Sequence, residues 1–146
     1  MTKKAALTGT QLNVRFERDG EVLQQVNADV SALGTAAAVS CVSALEDIPV
    51  RQDTVVIGSL AVSGRLRAIE GVTQMIEGAA DLGYTRAVVP EANRNDILLE
   101  HTYRNQIEVH LARDLTEVLA HCLVGNPTRI TAIQNELRRK PSKRAK

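Results

Sequence analysis

Aromatic residues are almost missing from this chain of 146 residues. It contains no tryptophan, one phenylalanine and two tyrosines, so aromatics make up 2% of the sequence. Apolar residues still account for 44%, which predicts one domain with a core of Val, Leu, Ile and Ala. The net charge is +1, which gives no overall electrostatic reason for binding nucleic acid. No apolar run approaches the ~18 residues of a membrane span, and no signal-peptide core follows Met1. We therefore expect a soluble, cytoplasmic domain.

Cysteine and lysine are also scarce. Cys41 and Cys122 lie within apolar helical patterns, which predicts two small core residues rather than a disulfide or a metal site. Lysine occurs only at positions 3, 4, 140, 143 and 146, so the body of the chain has none. The basic residues cluster at the end, in a like-charge block that is typical of a solvated tail. Nucleic-acid binding by this block is the alternative, and the contacting residues would be Arg129, Arg138, Arg139, Lys140, Lys143, Arg144 and Lys146.

Short strands alternate with helices along the sequence. Strands are predicted over 11–16, 22–26, 54–57, 86–89 and 107–111, the second after an Asp19-Gly20 hairpin turn. Leu60, Val62 and Leu66 are predicted to lie in two more strands, which flank a tight turn at Ser63-Gly64-Arg65. Helices are predicted over 35–45, 71–82, 115–123 and 128–139, with a helical turn at 93–99. This alternation predicts an α/β (α+β) class of small sheets packed with helices. The expected organisation is a flexible N-terminus at 1–10, a domain at 11–125, a C-terminal helix at 126–139 and a basic tail at 140–146.

Several stretches between residues 45 and 96 resemble the proteolytic domain of Lon proteases. They are Leu45-Glu-Asp-Ile-Pro-Val50, the hairpin Gly58-Ser-Leu-Ala-Val-Ser-Gly64, the helix start Glu70-Gly-Val-Thr-Gln-Met-Ile-Glu77, and Arg86-Ala-Val-Val-Pro90 followed by Asn93 and Asp96. The helix start is most similar to the archaeal membrane-type Lon. The match covers residues 28–123, without a gap between Val50 and Pro90. The resemblance implies the fold of the Lon proteolytic domain.

Lon proteases cleave peptides with a Ser-Lys dyad, whose lysine must be neutral to accept the serine proton. The resemblance places the serine position at Ala32 and the lysine position at Met75. A supporting threonine falls at Ile57, and the first of two paired glycines falls at Glu70. It therefore implies a degenerate site with no catalytic residue. Met75 also fits the apolar stripe of its helix, formed by Val72, Met75, Ile76, Ala79 and Ala80, and is interpreted as a core residue.

If the loop before the helix at 35–45 contained one extra residue relative to the Lon family, Ser31 would take the position of the nucleophile. That change supplies no lysine, so the base would need a different geometry, from His101, His110 or His121. Each histidine is predicted to be a surface or strand-end residue. A divergent Lon-type serine endopeptidase that uses Ser31 therefore stays open as an alternative.

The function implied by the resemblance is a Lon-like C-terminal domain that assembles rather than cleaves. Lon domains form hexameric rings, so a homo-oligomer is expected, with an AAA+ ATPase domain in the same longer protein. The chain has no Gly-rich Lys-Ser/Thr phosphate loop, so ATP would bind only to that separate domain, and no metal or cofactor is expected here. Dyad-less Lon-like domains occur in ATPases that act on DNA, including a repair protein and the Lon-like proteins of BREX phage-defence systems. DNA is thus an expected partner and a membrane is not. Fewer elements precede Ala32 than in the family, which implies a shortened domain or a piece of a longer protein.

Overall fold

The computed structural model describes residues 17–18, 21–22 and 33–139. The predicted strand at 11–16 and the loop with Ser31 and Ala32 lie outside these residues. The elements are β1 (Glu17–Arg18), β2 (Glu21–Val22), α1 (Gly34–Glu46), β3 (Thr54–Val56), β4 (Ser59–Leu60), β5 (Leu66–Arg67), α2 (Val72–Asp81), β6 (Arg86–Pro90), α3 (His101–Arg104), β7 (Glu108–Ala112), α4 (Leu115–Cys122) and α5 (Pro127–Arg138). A 3₁₀ helix spans Glu91–Asp96.

Three parallel strands form the central sheet, in the order β3-β6-β7. Val56 pairs with Val88 of β6, and Val88 pairs with His110 of β7. The middle strand β6 is fully buried at Ala87, Val88 and Val89, because an inner parallel strand is covered on both faces. Two antiparallel pairs accompany this sheet. β1 pairs with β2 on either side of Asp19-Gly20, which confirms the predicted hairpin, and β4 pairs with β5.

Two apolar clusters cover the opposite faces of the sheet, because successive strand residues point to opposite sides. Val88 belongs to one cluster, which is completed by helices α1, α4 and α5. Ala87 and Val89 belong to the other, which contains the buried residues of α2. The buried α2 residues are Val72, Ile76, Ala79 and Ala80. The domain is therefore a small α/β layered structure, as the sequence predicts.

The end of α2 shows how local sequence sets an element boundary. Gly83 adopts φ 93° and donates its N–H to Ala80 O at 3.0 Å, while Tyr84 N–H donates to Ala79 O at 3.1 Å. These two bonds satisfy carbonyls that the last helical turn leaves free, and the left-handed residue between them favours glycine. The predicted cap at Gly83 is confirmed.

Several expectations are wrong in detail. Helix α1 buries only Thr35 and Val39, so it is less enclosed than its small residues suggest, and Cys41 is partly exposed rather than in the core. Val62 is fully exposed in the turn between β4 and β5 instead of in a strand. Helix α3 is missing from the prediction, because four residues are too few to show a helical period. None of the helices in the described ranges is long and apolar enough to cross a membrane.

Candidate functional site

The first turn of α1 is anchored at the carboxyl end of β3. The Thr35 hydroxyl is fully buried and donates to Gly58 O at 2.8 Å. Gly58 adopts φ 148°, and a Cβ on it would lie 2.9 Å from Cγ of Pro90 at the end of β6. Only glycine fits this close approach. The hydrogen bond therefore ties the first turn of α1 to the segment after β3. Ser31 and Ala32 precede α1 in the sequence and lie outside the described residues.

Helix α2 begins beside this region. Gly71 is its N-cap with φ 71°, and Met75 N–H donates to Gly71 O at 3.1 Å. Met75 is 40% exposed, whereas its neighbour Ile76 is 0% exposed. The interpretation of Met75 as a core residue is therefore wrong. Each helical step rotates the side chain by about 100°, so Met75 lies just outside the stripe that faces the sheet. Ile57 is 5% exposed, as its apolar setting predicts.

Asn93 ties the 3₁₀ helix to the segment before α2. It is fully buried, and its Oδ1 accepts from Ile69 N–H at 3.0 Å. Its Nδ2 donates to Ile69 O at 2.9 Å and to Asp96 Oδ2 at 3.0 Å. The Thr73 hydroxyl adds a second link, donating to Asp96 O at 2.8 Å and accepting from Leu98 N–H at 3.1 Å. These contacts hold the start of α2 in a defined place.

An open groove of about 510 Å³ lies at this junction, lined by Ile69, Glu70, Gly71, Val72, Thr73, Gln74, Asp96 and Leu98. Its charged groups are the carboxylates of Glu70 and Asp96, and it has no basic side chain. Hydroxyl, amide and carboxylate groups can accept or donate hydrogen bonds to a polar ligand. They do not include an amine that could act as the neutral base of a dyad. No group of three or more metal-binding side chains occurs within the described ranges.

The three histidines do not reach this region. His101 is exposed on α3. His110 and His121 stack with ring centroids 4.7 Å apart, which sequence reasoning missed because their contact is tertiary. His110 lies in β7, two strands from β3, about 10 Å away at the usual strand spacing. Burial lowers the pKa of His121, and the nearby His110 and Arg86 lower it further.

The remaining predicted site residues are placed as follows. Cys122 is fully buried, and burial raises the pKa of its thiol to about 11, which makes it an inert core residue. Arg138 Nε donates to Thr116 Oγ1 at 3.2 Å, and Arg129 Nη2 donates to Glu46 O. Two of the arginines proposed for nucleic-acid binding are thus bonded within the domain. Arg139 is exposed, and Lys140, Lys143, Arg144 and Lys146 lie outside the described residues.

Sequence comparison identifies relatives over most of the chain. Residues 25–125 match the Lon protease (S16) C-terminal proteolytic domain. The archaeal Lon protease of Halobacterium salinarum is 41% identical over 115 residues, which is 79% of this chain and 16% of that protein. The archaeal Lon protease of Thermoplasma volcanium is 39% identical over 102 residues, which is 70% of this chain and 15% of that protein. That of Pyrococcus abyssi is 38% identical over 104 residues, 71% of this chain and 10% of that protein.

The chain therefore spans a minor part of the length of these relatives, at most 16% of those three. The match includes α1, the central sheet, α2 and α4, which are the elements that build the region described above. On this evidence, the chain belongs to the family of Lon protease C-terminal proteolytic domains.

Proposed function

We propose that this domain is a non-proteolytic Lon-like domain that serves assembly or interaction within an ATP-dependent AAA+ protein. The proposal rests on Met75, because the resemblance to Lon proteases implies that the lysine of the dyad would stand at this position. A thioether cannot take up a serine proton, whereas the neutral amine of a dyad lysine can. No lysine occurs between residues 5 and 139, so a shift of register does not restore the dyad.

Other candidate bases also fit proteolysis poorly. Asp96 Oδ2 accepts from Asn93, and its carbonyl accepts from Thr73, so this residue supports the fold. Glu70 lines the groove but is exposed to solvent. His110 and His121 pair with each other at the β7–α4 contact. Asp96 and the two paired histidines are thus engaged in contacts within the domain, and Glu70 is open to solvent.

An interaction role is supported by the outer face of α2. The exposed positions of α2 and its two caps are Gly71, Gln74, Met75, Gly78, Asp81 and Leu82, and Asp81 is the one charged residue among them. Leu82 is 80% exposed and Met75 is 40% exposed. Exposed apolar side chains grouped on one face favour contact with another protein surface. We propose copies of this domain, in a ring, and an AAA+ ATPase domain of the same longer protein as the partners, in a role such as phage defence or DNA transactions.

Assembly is tested by light scattering of the purified chain across a range of concentrations. The proposal predicts a mass above that of the monomer that falls upon dilution, and a shift toward monomer in Leu82→Glu. The matched control is Leu137→Glu, since Leu137 is also an exposed leucine, at 47%, but lies on α5. A strict monomer at every concentration, or equal effects of the two variants, would contradict the proposed interface.

The loss of the nucleophile is tested with a fluorophosphonate probe, which labels activated serines covalently. The proposal predicts no labelling of the wild type above that of Ser31→Ala. Labelling of the wild type that disappears in Ser31→Ala would support the alternative function, a divergent endopeptidase that uses Ser31.

A further inference from the structure

The contact between β7 and α4 contains a pair of histidines that the proposed function does not use. His110 lies in the middle of β7, and His121 lies near the end of α4. Their ring centroids are 4.7 Å apart and their planes meet at 33°. The side chain of His110 is only 18% exposed. The two imidazoles are therefore part of the surface on which α4 packs against the sheet.

Charged groups surround the pair unevenly. Glu108 Oε1 lies 3.3 Å from His110 Nε2, although the geometry gives no hydrogen bond. Arg86 of β6 shares the strand face of Val88 and His110, and its Nε is buried without a hydrogen-bond partner in the described residues. Glu117 lies one turn before His121 on α4, but it already accepts from Arg113 N–H at 2.8 Å. One guanidinium and one carboxylate of the sheet thus face the two rings.

The other elements packed on α4 direct their charges elsewhere. Arg138 of α5 acts on Asp114, at the opposite end of α4. Arg51, before β3, acts on the Cys122 thiol and pairs with Asp53 at 3.3 Å. Helix α1 has one charged residue, Glu46, at its carboxyl end. Glu117 of α4 and Glu108 of β7 are the carboxylates that favour positive charge on His121, and burial, His110 and Arg86 outweigh them.

We propose that the His110–His121 pair makes the packing of α4 on the sheet sensitive to acid. The two rings lie against each other at the β7–α4 contact, with their centroids 4.7 Å apart. When His121 takes up a proton, a partly buried imidazolium is placed against the His110 ring and near the guanidinium of Arg86, which disfavours the charged form. α4 then loosens, and α5 moves with it, because Gln134 Nε2 donates to Thr116 O of α4 at 2.7 Å.

The direction of the pH dependence follows from His121. Burial, His110 and Arg86 lower its pKa below the ordinary value of 6.5, so the unfolded chain binds a proton at this site more readily than the folded chain. Stability is therefore fully present above pH 6.5 and falls as the pH drops from there toward the folded pKa. The cap of α4 is retained in this range. Burial opposes ionisation of Asp114, but bonds from Thr116 and Glu117 lower its pKa overall.

The test is amide hydrogen exchange of the full chain, read by mass spectrometry at about pH 7.5 and about pH 5.5 and corrected for intrinsic exchange. Protection of residues 115–122 should fall at least about tenfold more than protection of residues 72–81. The second segment is α2, which packs on the opposite face of the sheet. Parallel losses in the two segments would overturn the proposal.

Variants identify the groups responsible. His121→Gln should abolish the extra loss in α4, because the group with the lowered pKa is gone. His110→Gln should only reduce the loss, because burial and Arg86 still lower the pKa of His121. His101→Gln is the matched control, since His101 is exposed on α3, and it should respond like the wild type. An extra loss that persists undiminished in His121→Gln contradicts the proposal. A proton NMR titration of wild-type His121 decides the case independently of variant folding, because a midpoint at or above 6.5 would also overturn it.

Discussion

Replacing Asn93 with alanine should be among the more damaging polar substitutions in this domain. The side chain is fully buried and makes three hydrogen bonds of 2.9–3.0 Å, two with the backbone of Ile69 and one with Asp96. Each of these hydrogen bonds contributes about 1 kcal/mol net to stability, so the alanine variant should lose about 3 kcal/mol of the free energy of unfolding. Ile69 is half-buried, so water can replace part of the lost bonding, which makes a range of about 2–4 kcal/mol realistic. Typical domains have only about 5–15 kcal/mol in total.

The assay is urea unfolding of the wild type, Asn93→Ala and a matched control, with the free energy of unfolding taken from each curve. Asn95→Ala is the control, because Asn95 lies in the same 3₁₀ helix but is exposed. It should change stability by less than about 0.5 kcal/mol. Asn93→Asp keeps the shape but loses the amide donors and brings a carboxylate to Asp96, so it should be at least as unstable as Asn93→Ala. A loss of unfolding free energy below about 1 kcal/mol for Asn93→Ala would mean that these hydrogen bonds contribute little to stability.

Three further predictions rest on close packing and burial. Gly58→Ala should lower the free energy of unfolding by about 2–3 kcal/mol, since the new methyl group adds a clash to the backbone strain. Gly64→Ala should lower it by about 1 kcal/mol, since Gly64 has φ 85° but nothing within 4 Å of the added atom. Equal losses of stability for the two variants in thermal unfolding would argue against the clash. In urea unfolding, Ile76→Ala should lower the free energy of unfolding by about 2–4 kcal/mol, and Met75→Ala should lower it by less than about 1 kcal/mol. The reverse order would mean that Met75 is the buried side chain. In mass-spectrometric alkylation with iodoacetamide at neutral pH, Cys122 should react only after unfolding, and its modification in the native state would contradict its burial.

Sequence patterns predicted the elements where the signal is local. The β-branched run Thr54-Val55-Val56, the Gly83 cap and the Asp114 N-cap all depend on neighbours in the chain. Asp114 Oδ1 accepts from Glu117 N–H at 3.0 Å, as expected for an N-cap. Signals of this kind involve residues close together in the chain, so they can be recognised in the amino-acid sequence alone.

The details of the candidate site depend on contacts between distant residues. The helical period of α2 places Met75 at the edge of the apolar stripe, and only the sheet beneath decides that Ile76 is covered and Met75 is not. The bond from Thr35 to Gly58 joins residues 23 positions apart. No periodic pattern signals a contact of that kind, and the same holds for the His110–His121 stack.

The proposed loss of the dyad is compatible with an intact fold for a physical reason. A catalytic lysine must be held neutral in an apolar setting, which costs stability. Met75 is partly exposed on a helix whose core contacts come from Val72 and Ile76, so the position does not need a particular side chain for packing. Selection for catalysis would be the main reason to keep a lysine there. Its replacement by methionine is thus compatible with the same α2 packing.

The measurement that tests the central claim most directly is cleavage of casein by the purified chain, followed by mass spectrometry, beside Ser31→Ala. Casein is unfolded, so no ATPase is needed to deliver it to a site. We expect the wild type to leave casein intact and to be indistinguishable from the variant. Discrete casein fragments that form with the wild type and are absent with Ser31→Ala would contradict it, and would make Ser31 the nucleophile of an active peptidase.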